Sequence, residues 1–279
     1  MAANLQRLNF LSGFYSGGRL AGHSPKILPE TPMSATHLLP RLPATESEPK
    51  GGRRFIRWLA GGWRLFRRAP LRLFGLMVLL LVVELLVQSF VPVLVIPLSK
   101  WVAAMLAGVY WLALFQLDEC GSLRPGRAFL RVGNKWPALA GLAMVLLLVY
   151  LAQVSIGYLM IGPAAIDVLV FSDATASMQM SNAHMGLMFS SGIPIATLLM
   201  FAAPLLLIDR LPLWSALASS VRLVARNALP MALLAILTML LVFLAPATFA
   251  LSVLATGPWL ICVGLVAFRD LAKQFEKTV

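Results

Sequence analysis

Residues 51–90 read GGRRFIRWLAGGWRLFRRAPLRLFGLMVLLLVVELLVQSF, and the pattern turns at Pro70. Beyond it, as far as Phe90, the only charged side chains are Arg72 and Glu84. An apolar run of about 20 residues is what a helix rising about 1.5 Å per residue needs to cross the ~30 Å hydrocarbon core of a bilayer. Before Pro70 the sequence has a helical period instead. Phe55, Trp58, Leu59, Gly62, Leu65, Phe66 and Ala69 fall on one stripe, with Arg53, Arg54, Arg57, Arg64, Arg67 and Arg68 mostly opposite. This predicts a helix lying in the headgroup layer, its stripe in lipid and its arginines at an anionic surface. A fully solvated helix would leave Trp58 and Trp63 in water.

The composition of the chain agrees. Of its 279 residues 59% are hydrophobic and 12% charged, against about 25% charged in a soluble domain. These values, with a mean hydropathy of +0.84, define an all-α integral membrane protein with no sizeable soluble core. The net charge of +12 then speaks for topology and anionic lipid, not for nucleic acid. Cys120 and Cys262 fall near the ends of different apolar runs, which argues against a disulfide framework.

Residues 1–50, rich in Pro, Gly, Ser and Thr without a sustained period, read as a disordered tail, and 51–279 as one membrane domain. Six spans are expected, at 71–90, 93–117, 138–161, 193–208, 231–249 and 251–268. The fourth is short as drawn and should begin nearer Gly186, with Pro194 kinking it. Lysines and arginines cluster at 50–72, 124–135, 210–226 and 269–277, all on one side, while the other side keeps only Lys100. By the positive-inside rule the basic side is cytoplasmic, both ends lie inside, and 162–191 is the main external loop.

A threefold plan runs through the domain, with units of about 51–118, 119–209 and 210–279. Arg64 and Arg68 precede Pro70, Arg131 and Lys135 precede Pro137, and Arg222 and Arg226 precede Pro230. Each basic pair is spaced i, i+4 before an apolar run, and an acid, Asp118, Asp209 or Asp270, marks where each unit's second span returns. The expectation is a basic interfacial helix plus a transmembrane hairpin, written three times, with each acid able to pair with the next unit's basic helix. Positive-inside bias and common hairpin statistics could also create such a likeness by chance.

The segments GGWRLFRRAPLRLFGL, GSLRPGRAFLRVGNKWPALAGL and LLLIDRLPLWSALASSVRLVARNALP, with GLVAFRDL near the end, resemble an uncharacterised family of proteobacterial multi-spanning inner-membrane proteins over about residues 51–273. That resemblance implies a bacterial inner-membrane location and no particular activity. Domains of this helix-hairpin kind are also similar to the membrane portions attached to some glycerophosphodiesterases. The catalytic half of those enzymes is not in this sequence, so the looser likeness implies no enzyme activity.

Two features carry chemistry. Glu84, with Gln88 one turn on, is the one acid inside an expected span. It reads either as a proton-coupling group or as a carboxyl cementing the first two spans, through Gln116 or Gln153. In MQMSNAHMGLM, residues 178–188, the thioethers of Met178, Met180 and Met185 with His184 suit a soft metal such as Cu(I). The competing reading is an adaptable, methionine-rich approach to the fourth span. His23, His37 and His184 have no carboxylate or Cys set at metal spacing, and no Walker A, G-x-S-x-G, H-E-x-x-H or G-x-G-x-x-G occurs. No cofactor is expected. The sequence points first to a non-enzymatic scaffold or accessory factor, with anionic lipids and another membrane complex as partners. A small permease, for a soft metal ion or small solute, is the alternative.

Overall fold

The computed structural model describes residues 51–90, 95–171 and 180–276. The tail expected over 1–50 and the methionine at 178 lie outside them. Every regular element among the described residues is helical. In chain order these are α1 (Gly51–Phe66), α2 (Pro70–Phe90), α3 (Val95–Cys120), α4 (Pro125–Val132), α5 (Trp136–Ile161), α6 (Ala164–Leu169), α7 (Asn182–Ser190), α8 (Ile193–Leu199), α9 (Ala202–Leu207), α10 (Leu213–Arg226), α11 (Ala228–Phe243) and α12 (Leu251–Glu276).

Five helical runs are long and apolar enough to cross a membrane: Pro70–Phe90, Ile96–Cys120, Pro125–Ile161, Asn182–Leu207 and Leu251–Lys273. A sixth is reached only by joining α10 to α11 across a bend of 99°. The described residues thus have the makeup of a multi-pass, all-helical membrane protein. Glycines close two of the long helices. Gly121 and Gly162 take left-handed φ values of 66° and 68°, and each amide donates back into the last turn, to Leu117 O at 2.9 Å and Tyr158 O at 2.8 Å.

Three spans differ from expectation. The third is continuous with its basic helix: α4, a short 3-10 turn at Gly133–Lys135 and α5 form one run of 37 residues. The fourth starts at Asn182, earlier than expected, and is broken into α7, α8 and α9. Pro194 does not kink a continuous helix; it lies in the first turn of α8, where its missing N–H breaks no bond. The fifth stops early. α11 has 16 residues, about 24 Å, and ends at Phe243 short of a bilayer's ~30 Å. Pro246 and two left-handed residues, Phe249 and Ala250 (φ 50° and 63°), turn the chain toward α12 where helix was expected to 249.

The core lies toward the end of the bundle where arginines gather. α2 buries only Leu73 and Leu76, in its first two turns, and α11 only Pro230, Met231 and Leu234. α3 and α12 bury their opposite ends, at Leu112–Leu114 and Leu117 and at Cys262, Val263, Leu265, Ala267, Phe268 and Leu271. Toward the far end Leu85, Phe90, Leu159, Ile236 and Leu240 are exposed, as residues facing hydrocarbon are.

The apolar stripe of α1 does not lie in lipid. Trp58, Gly62 and Leu65 are buried in this core. A Cβ placed on Gly62 would stand 2.7 Å from the Cα of Val263, so the two backbones nearly touch. Trp259 Nε1 donates to Leu59 O at 3.4 Å across the same contact. Small residues at the crossing let helix pack on helix where a bulky stripe would have stayed in lipid.

Candidate functional site

The polar chemistry of the basic end is concentrated in two carboxylates. Asp270 on α12 accepts from three side chains of α1: Arg54 Nε at 2.8 Å and Trp58 Nε1 at 2.9 Å, both to Oδ2, and Arg57 Nη2 at 3.0 Å to Oδ1. Arg54 also donates through Nη1 to Asn227 Oδ1 at 2.7 Å, and Asn227 is the residue between α10 and α11 at the bend. One buried guanidinium, its side chain only 10% exposed, therefore ties α1, α12 and that bend together. Removing its partner would strand a buried charge, whereas the half-exposed Arg57 contributes little. The second carboxylate, Asp118 at the end of α3, pairs with Arg68 at 3.2 Å and with Arg269, whose guanidinium lies 4.9 Å from the centre of the Phe115 ring.

These pairings are not those expected. Asp118 reaches back to Arg68 of its own unit and across to the last helix, and Asp270 closes onto the first helix. The basic pairs differ among themselves too. Arg64 is on α1 but Arg68 lies beyond its end; Arg131 is on α4 but Lys135 sits in the 3-10 turn; only Arg222 and Arg226 share one regular helix, α10. Arg64, Arg67, Arg72, Arg124, Arg127 and Arg222 are exposed and form no ion pair among the described residues. Beside them stand exposed apolar side chains: Ile56, Trp63 and Leu71, then Phe129 and Leu130, then Trp214, Val221 and Leu229.

At the far end, Glu84 pairs with Lys100 across the α2–α3 hairpin. Gln88 Nε2 donates to Ser99 Oγ at 3.0 Å one turn further on. Neither Gln116 nor Gln153 is the partner of Glu84. Gln153 instead donates to Phe189 O at 2.6 Å, covering the first break of the fourth span. The second break is covered from α10. Ser220 Oγ donates to Leu198 O at 2.7 Å and accepts from Phe201 N at 3.2 Å. Ser220 and Asn227 were missed in the sequence because a single Ser or Asn between apolar residues has no period of its own.

From Asn182 onward the methionine-rich stretch is helical. Ser181 caps α7, its Oγ accepting from the His184 amide at 3.2 Å and lying 2.9 Å from His184 Nδ1. Met180 packs on the small buried cluster of Ala165, Val168, Leu169 and Met188, while His184 is exposed and Met185 partly buried. Among the described residues no three His, Cys, Asp or Glu side chains come together. A cavity of about 350 Å³ lined by Val154, Ser155, Tyr158, Leu159 and Ile166 carries no charged group.

No family model matches the chain, and no curated protein or solved structure matches it either.

Proposed function

We propose that this chain is a non-enzymatic scaffold or accessory protein of a bacterial inner membrane, with both ends cytoplasmic and its basic end on anionic lipid. The observation that carries the reading is how polar groups are used. Within the long helices Gln153, Thr197, Thr238 and Thr256 each donate to a backbone carbonyl, and Glu84 is held by Lys100. Side chains spent on the protein's own backbone hold a shape and leave little to bind a solute. Arg64, Arg67, Arg72, Arg124, Arg127 and Arg222 of the basic end are exposed beside exposed Trp and Leu, the makeup of a surface meeting headgroups.

In this reading the domain is six-spanning and threefold. The order of elements supports it, since α1, α4 and α10 each carry arginines and each precede a pair of apolar segments. It belongs with the uncharacterised proteobacterial inner-membrane proteins that the sequence resembles. A second reading, a small permease, is favoured by one observation, the fourth span broken at two points as the discontinuous helices of transporters are.

Co-purification of the tagged protein at native level in mild detergent tests the first reading. A stoichiometric partner complex is expected; a lone monomer or homo-oligomer would move the weight to transport. Reporter fusions at residue 175 and at the C-terminus test orientation, and a cytoplasmic signal at 175 would overturn it.

A further inference from the structure

The helix α10 has three sectors. At about 100° per residue, Ala216, Leu217, Ser220, Leu223 and Val224 share one side, and all five are buried against the bundle. Trp214, Ala218, Val221 and Ala225 form an exposed line on the other side, and Arg222 and Arg226 flank that line. Trp214 is 75% exposed and Leu229, just past the bend, 60%. No acid occurs between Leu213 and Arg226. The bend of 99° sets α10 across the direction of α11, so if α11 runs with the other long helices into the bilayer, α10 lies in the plane of its surface.

We propose that α10 is a docking surface for the headgroups and upper acyl chains of anionic phospholipid. The proposal rests on the membrane-surface reading above and narrows it to one helix. A helix parallel to the surface needs one side for protein, one for hydrocarbon and one for phosphate, and α10 has each in that angular order. The line Trp214–Val221 is too apolar for water, and Arg222, unpaired among the described residues, supplies the charge that selects an anionic headgroup. α1 offers a poorer match, because its main apolar stripe is already spent on α12. α4 continues into α5 without lying across it. Through Ser220 the docked helix is also tied to the second break of the fourth span, so the lipid contact bears directly on that break.

The test uses the full chain reconstituted in phosphatidylcholine vesicles containing phosphatidylglycerol, with bromine on the acyl chains of one lipid or the other. The Trp214 emission is isolated as the difference between wild type and Trp214→Phe. Brominated phosphatidylglycerol should quench it about fivefold more effectively, mole for mole, than brominated phosphatidylcholine, the enrichment expected of one arginine at the surface. Arg222→Gln should bring the two lipids to parity, and Arg131→Gln on α4 should leave the preference intact. Equal quenching in the wild type would overturn the proposal. So would quenching by neither lipid, which would place Trp214 in water or against a protein partner, or loss of the preference in Arg131→Gln. Both variant sites are exposed, and an unchanged thermal transition shows that each variant is folded. Because quenching needs no partner complex, failure to co-purify one would sink the scaffold reading and leave the lipid site standing.

Discussion

α1 and α10 share a sequence plan, arginines among aromatic and aliphatic residues ahead of a proline and an apolar run, and the structure uses them differently. α1 is clamped: Gly62 meets the backbone of Val263, and three of its side chains converge on Asp270. α10 packs a face of five buried residues on the bundle, with Ser220 its hydrogen-bonding link to the broken fourth span, and leaves Trp214 and Val221 outside. A glycine at the crossing, Gly62, and a distant carboxylate, Asp270, not the helical period, decide whether such a helix joins the core or stays at the surface.

The comparison breaks first at Asp270. Asp270→Ala leaves Arg54 buried without its carboxylate and should cost about 3 to 5 kcal/mol, read as a large fall in thermal stability in detergent, with α1 becoming accessible to protease. Gly62→Ala drives a methyl into the Val263 backbone and should cost about 1 to 3 kcal/mol by the same measurement. At the other helix, Ser220→Ala strands the buried Phe201 amide and should cost about 1 kcal/mol, with faster hydrogen exchange confined to the break at 198–201. Arg222→Gln should leave stability within about 0.5 kcal/mol of wild type, since it removes no contact inside the protein. If Arg222→Gln were as damaging as Asp270→Ala, the contrast between the two helices would be wrong.

Where apolar length alone decides, sequence and structure agree closely: the first span was expected at 71–90 and begins at Pro70, and the third was expected to end at Ile161 and does. The destination of the Trp58 stripe was not readable. Lipid tails and the α12 surface are equally apolar, so periodicity cannot tell them apart, and the deciding residues lie some 200 positions later. The Glu84–Lys100 pair was legible in principle, because the two residues are 16 positions apart on consecutive spans; the partners expected for Glu84, Gln116 and Gln153, are not the ones it uses. A single kink at Pro194 was expected in the fourth span; two breaks are found, and tertiary contacts from Gln153 and Ser220, which no local pattern shows, make them tolerable there.

The link between Arg54 and Asp270 also sets an order of assembly. These residues stand 216 positions apart, and a ribosome adding roughly 5 to 20 residues per second takes about 10 to 40 s to make the second after the first. Through that interval α1 exists without α12, and its Trp58 stripe must be sheltered by something other than its final partner. The bilayer surface offers such an apolar shelter, and the helical period of α1 suits it for that interval.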